Sequence, residues 1–177
     1  MRVNPAYGSA VVWLAVAFSA GSCGYHLAGR ADTVPDTVHT IAIPTFRNNT
    51  TEFKIEQYVT GAVAQEFMTR TRYRIVSDPA EADATLAGTV LNFFVFPVVF
   101  DPKTGRSTSV ATLTQVQVAL IERNTGKVIY QNPAFEYRER YEVTTDPEAY
   151  VEERQAALVR TGDGLARSLV SAVLEGF

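Results

Sequence analysis

Four groups of residues in this chain have types and spacing that could support chemistry. The first is Cys23, the only cysteine, whose thiol is either a nucleophile or a point of covalent modification. The second is the pair His26 and His39, the only histidines; neither has another histidine or a carboxylate at ligand spacing, so no metal site is expected. The third is Lys103-Thr104-Gly105, which has the residue types of one box of penicillin-recognising enzymes. That chemistry takes its nucleophile from Ser-x-x-Lys, and no serine here has a lysine three residues on, so a hairpin turn is the reading that stands. The fourth is the carboxylate pair Asp146 and Glu148. Asp146-Pro147-Glu148 is a helix start, with an N-cap, proline at the first helical position and acid in the first turn, and capping accounts for both acids. There is no Gly-x-x-x-x-Gly-Lys phosphate loop and no Gly-x-Ser-x-Gly elbow. With no nucleophile, base or cofactor box, the expectation is a protein that is not an enzyme and holds no cofactor.

That leaves Cys23 to explain. It closes the stretch AFSAGSC, directly behind the apolar run VVWLAVAF at 11–18, with Arg2 and a short polar lead ahead. The run is too short to span a bilayer, which takes about 20 apolar residues, but has the length of a signal-peptide core followed by small residues. Small residues running straight into a cysteine resemble the bacterial lipobox, in which the thiol is lipidated, the preceding peptide is cut and the new N-terminus is acylated. Ala20 stands where leucine is usual. Residues 1–22 are thus expected to be a lipoprotein signal peptide and Cys23 the site of a covalent lipid. One acyl chain holds a protein to a bilayer only marginally, whereas two or more hold it stably, because each buried CH₂ contributes about 0.8 kcal/mol.

Removing the signal peptide leaves 155 of the 177 residues and, with Arg2 gone, takes the formal charge from −3 to −4. That is enough chain for one domain with one core. A mildly acidic chain of interspersed signs lacks the basic stripe of a nucleic-acid binder. With its one cysteine lipidated, it has no thiol left for disulfides.

The elements follow from periodicity. Residues 23–36 are turn-rich and predict a short tether. Residues 38–46 (VHTIAIPTF) predict a strand that Pro44 closes. Asn49, with Glu52 three residues on, predicts the cap of a helix over 53–68, whose stripe is Phe53, Tyr58, Val59, Ala62, Val63 and Phe67. Strands are expected at 73–76, from Ala84 to Phe100, at 108–122 and at 127–143, the last broken by Asn132-Pro133. In 108–122, Val110, Thr112, Thr114, Val116, Val118 and Leu120 share one face. A final helix runs towards Leu174 with a stripe of Tyr150, Ala157, Leu158, Leu165, Leu169, Val170 and Val173; Gly162 and Gly164 could bend it. The order β-α-β-β-β-β-α predicts an α+β domain over 37–177, a mostly antiparallel sheet of four to five strands with both helices on one face.

With that order in place, CGYHL from Cys23, IAIPTFRNNT from Ile41, ADATLAGTV from Ala82 and RNTGKVIY from Arg123 together resemble the LptE family. LptE is the lipoprotein that partners the outer-membrane barrel LptD in lipopolysaccharide assembly. The resemblance covers essentially all of the mature chain. It implies two helices on one sheet face, a place inside an LptD-like barrel as a plug, contact with lipopolysaccharide, and a lipid-anchored position on the periplasmic face of the outer membrane. The alternative is a lipoprotein that regulates a periplasmic cell-wall enzyme from a related core. Such a regulator needs a long reach, and the dozen or so residues behind Cys23 span roughly 40 Å at most when extended, which favours work close to the membrane.

Two sets of candidate residues emerge. The stretch 93–100 is apolar at every position, where a half-buried strand would alternate, so Phe93, Phe94, Phe96 and Val98 are candidates for contact with a barrel wall or acyl chains. For phosphate, the candidates are the turn cations Lys103 and Arg106, beside that stretch, and Arg47 and Lys127 at other turns. Replacing the anchor tests the first step of this reading. Cys23→Ala should leave the fold intact and either release the protein from the membrane fraction or leave an uncleaved precursor. A processed variant that only detergent extracts would contradict the lipoprotein assignment.

Overall fold

The computed structural model describes residues 34–100, 102–103, 107–142 and 147–176, with residue 107 and residues 147–154 as backbone only. Cys23, Arg106 and the Asp146 cap lie outside the described residues. Strand β1 (Thr40–Ala42) and strand β2 (Arg47–Asn48) run in line along one side of β4 (Ala84–Phe100), both parallel to it. Pro44 falls in the gap between them, so the single strand expected over 38–46 is split where the chain has no N–H to give. Helix α1 (Ile55–Arg70) returns the chain to β3 (Arg74–Val76), which pairs in parallel with the other side of β1. After a 3₁₀ turn at Pro79–Glu81, β4 continues into β5 (Ser107–Glu122) and β6 (Val128–Glu142), an antiparallel meander, and helix α2 (Pro147–Glu175) closes the fold. The sheet order is β3-β1-β4-β5-β6, with β2 alongside β4.

The architecture is α+β with two helices on one sheet face, as the pattern of elements predicts, and the sheet has six strands and mixed direction. The alternation read from the sequence sets that face. Ala84, Leu86 and Val90 of β4 and Val116, Val118 and Leu120 of β5 are buried. They meet Val59, Val63 and Phe67 of α1 and Leu165, Leu169, Val170 and Val173 of α2 in one core. Each buried valine, leucine or phenylalanine side chain contributes about 1.5–3 kcal/mol relative to exposure. Val34 already packs in this core, three residues ahead of the expected start of the domain.

Helix α1 starts two residues later than expected. Asn48, not Asn49, organises its entry: its Oδ1 accepts from the Thr50 N–H at 2.8 Å, and its Nδ2 donates to the Glu52 carbonyl and to Glu56 Oε2, each at 2.8 Å. The turn places Lys54 in the left-handed region and Phe53 outside the helix in solvent, so the buried stripe begins at Ile55. At the start of β4, Asp83 accepts from the backbone N–H groups of His39 and Thr40, at 2.9 Å each. Those two bonds hold its carboxyl below the usual carboxylate range and tie β4 to β1.

Gly162 and Gly164 do not break α2. They let it pack closely. A Cβ at 162 would lie 3.2 Å from the Tyr58 carbonyl oxygen of α1, and one at 164 would run into the phenol of Tyr137 on β6. Gly61, on α1, has open space around it. The same Gly→Ala change should therefore have opposite signs. Gly61→Ala should stabilise by up to about 1 kcal/mol through helix propensity, whereas Gly164→Ala should destabilise by about 1–3 kcal/mol through overpacking. Chemical denaturation measures both, and adding Tyr137→Ala to Gly164→Ala should recover part of the loss.

Candidate functional site

Strand β4 is longer than the elements that flank it. Through Val90 it has β2 on its outer side; beyond Val90 no described strand lies there, and only β5 remains beside it. Pro97 sits in this half, opposite Val110, where an edge strand tolerates a residue without an N–H. Helix α2 lies over β6 and β5, while α1 contacts the proximal part of the sheet. The distal half of β4 is thus open along its edge and on both faces: Phe94 is 53% exposed, Val95 50%, Phe96 41% and Phe100 55%.

Register shows which way each side chain points. Cross-strand partners share a face. Phe93 lies opposite Thr114, which lies opposite Tyr137, and this row faces the helices. Val95, Thr112 and Glu139 form the next row on that side. Thr112 and Thr114 are buried, with Thr112 Oγ1 3.4 Å from Thr161 Oγ1 of α2. Tyr137 donates to Glu139 Oε2 at 2.8 Å; burial, then this bond to a carboxylate, pushes the phenol pKa up. The opposite face has different rows. Asn92, Gln115 and Glu136 form a polar ladder, with Asn92 Nδ2 donating to Gln115 Oε1 at 2.7 Å and Gln115 Nε2 to Glu136 Oε1 at 3.3 Å. Beyond it come Phe94, Leu113 and Arg138, then Phe96, Ala111 and Arg140.

Of the four apolar candidates, Phe94 and Phe96 therefore share the open face and Val98 is exposed, but Phe93 turns under the helices and packs against the core. The described basic candidates, Lys103, Arg47 and Lys127, are not brought together. Lys103 lies in the β4–β5 turn and Lys127 in the β5–β6 turn, at opposite ends of a 16-residue strand, which is about 50 Å at 3.3 Å per residue. Arg47 lies between them on β2, at the rim of a shallow depression of about 320 Å³ floored by Ala87, Thr89, Gln117 and Ala119. Arg138 and Arg140 of β6, which the sequence analysis did not single out, lie in the same cross-strand rows as exposed Phe94 and Phe96, one strand beyond β5. Their shared face was legible in their spacing of two residues. Their place opposite Phe94 and Phe96 was not, because it depends on register shifts at Val90/Asn92 and Val116/Val118.

The two orientations make a direct prediction. Phe94→Ser and Phe96→Ser should change stability by no more than about 0.5 kcal/mol, as exposed substitutions do. Phe93→Ser should cost about 1–3 kcal/mol, since part of its ring leaves the core. Equal losses at positions 93 and 94, measured by denaturation, would contradict the register.

A family model described as LptE: Lipopolysaccharide-assembly matches residues 38–173. No curated protein sequence matches the chain. Among solved structures, the chain is similar to the CT253 protein of Chlamydia trachomatis, with a TM-score of 0.52 and 10% identity over 78% of this chain and 96% of that one. It is also similar to a candidate lipoprotein of Caulobacter crescentus, with a TM-score of 0.50 and 12% identity over 73% of this chain and 88% of that one. Rare lipoprotein B of Shewanella oneidensis superposes with a TM-score of 0.44 at 14% identity, over 72% of this chain and 94% of that one. At these identities the likeness is one of fold.

Proposed function

Because the chain belongs to the LptE family of lipopolysaccharide-assembly proteins, we propose that it is an outer-membrane lipoprotein, anchored through Cys23 on the periplasmic face. In this reading it plugs an LptD-like β-barrel and assists lipopolysaccharide assembly there as a binding subunit, without catalysis. The observation that carries the proposal is the distal half of β4, an apolar strand open on both faces and along its edge. Monomeric proteins keep large apolar patches covered, and such a patch marks an interaction surface.

The Thr37 hydroxyl donates to Glu122 Oε1 at 3.4 Å, so the chain enters the domain where β5 ends, opposite the β4–β5 turn. A wall of barrel strands offers what the distal half of β4 lacks, namely apolar cover and a surface for its helix-side residue Val95 and the distal Val98 and Phe100. The described helices include none long and apolar enough to cross a membrane, so the lipid and the partner would together hold the protein in place.

Co-purification tests the proposal. The tagged full chain, extracted in mild detergent, should bring down an outer-membrane barrel in near-stoichiometric amount, and Val95→Ser/Val98→Ser should reduce that yield several-fold. A soluble cell-wall enzyme in place of the barrel would overturn the reading.

A further inference from the structure

We infer that the open face of the distal sheet is a binding site for the phosphorylated, acylated end of lipopolysaccharide, with Arg138 and Arg140 holding phosphate and Phe94, Phe96 and Leu113 lying against acyl chain. The inference rests on the proposed function and assigns its ligand to residues. Two rows of the sheet make the site. In each, an exposed phenylalanine on β4 and an exposed arginine on β6 flank a small or aliphatic residue on β5, Leu113 in one row and Ala111 in the other. Strands are about 4.8 Å apart, so the aromatic column and the arginine column stand about 10 Å apart, with successive rows about 7 Å apart. An apolar track and a pair of arginine side chains therefore share one face of the sheet. This matches an amphiphile that carries its phosphates beside its chains.

The charge complementarity selects the occupant. A guanidinium presents a planar fork of donors that matches phosphate oxygens in two-point fashion. Arg140 is steadied by donation from its Nε to Ser109 Oγ at 3.1 Å, a bond that uses neither terminal nitrogen. Arg138 faces Glu136 at 3.9 Å, with its side chain 71% exposed; an ion pair this long and this solvated is weak, and a phosphate can displace it. The polar ladder of Asn92, Gln115 and Glu136 ends the apolar track on the proximal side. A second copy of the chain would present the same arginines to one another, and a purely apolar partner would leave them unpaired. A phosphorylated lipid satisfies both columns.

Binding of the full chain, in nonionic detergent at low salt where surface charge is least screened, separates the outcomes. The probes are lipopolysaccharide, the same material after enzymatic dephosphorylation, and phosphatidylglycerol, each in mixed micelles with the detergent. Arg138→Glu/Arg140→Glu should weaken binding to intact lipopolysaccharide by about tenfold or more, as loss of charge-assisted contacts does, and leave binding to the dephosphorylated form nearly unchanged. Phe94→Ser/Phe96→Ser should weaken both. Neither pair should alter co-purification of the barrel, which keeps this inference separable from the function on which it rests. Equal affinity of parent and arginine variant for intact lipopolysaccharide would overturn the site alone. Equally strong, arginine-dependent binding to phosphatidylglycerol would overturn its assignment to lipopolysaccharide. A parent that binds no lipopolysaccharide, with or without its barrel partner, would overturn the glycolipid reading as a whole.

Discussion

The pairing of β4 with its neighbours changes halfway along, and the rest of the molecule is arranged around that change. As far as Val90 the strand is a central one, with β1 and β2 parallel on one side and β5 antiparallel on the other. Its helix-facing side chains there are buried. Past Asn92 the same strand becomes an edge. An apolar edge strand is a hazard, because its unpaired backbone and greasy faces invite other chains. Pro97 interrupts that edge, but Phe94, Val95, Phe96 and Phe100 remain in water. A protein that keeps such a strand has a use for it.

The two faces of this extension differ in what covers them. On the helix side, α2 lies closely enough against α1 to need Gly162 and against β6 to need Gly164, and Thr112 and Thr114 of β5 are buried on that side. The shadow of α2 does not reach the end of β4. On the other side no described element covers the sheet, and the rows run from aromatic to aliphatic to arginine across three strands. One side thus suits a protein wall and the other an amphiphile, two contacts that a plug within a glycolipid-handling barrel would make at once.

Much of this was legible in the residues. Alternation at 84–90 and 110–120 identified the core face, the i, i+4 stripe identified α1, and the loss of alternation at 93–100 identified the unusual half of β4. What could not be read was anything that depends on long-range register. Phe93 looks identical to Phe94 in sequence, and only the pairing with Thr114 turns it under the helices. Asn49 and Glu52 have the spacing of a cap, yet Asn48 makes the bonds, because the loop geometry set by β2 places it first. The loop cations looked attractive because they adjoin the apolar stretch in sequence. Lys103 does lie in the turn that follows Phe100, and Arg106 falls outside the described residues; what the sequence could not show is that Arg138 and Arg140, about forty residues from Phe94 and Phe96, share their cross-strand rows.

The central claim is that two adjacent faces of one strand meet different surroundings, and a photo-reactive residue placed in turn at positions 93, 94, 95 and 96 in intact cells tests it most directly. The account predicts crosslinks that follow the pleat: to lipopolysaccharide from 94 and 96, to a barrel protein from 95, and to neither from 93. Crosslinking of all four positions to the same neighbour, or of position 93 as strongly as 94, would contradict it.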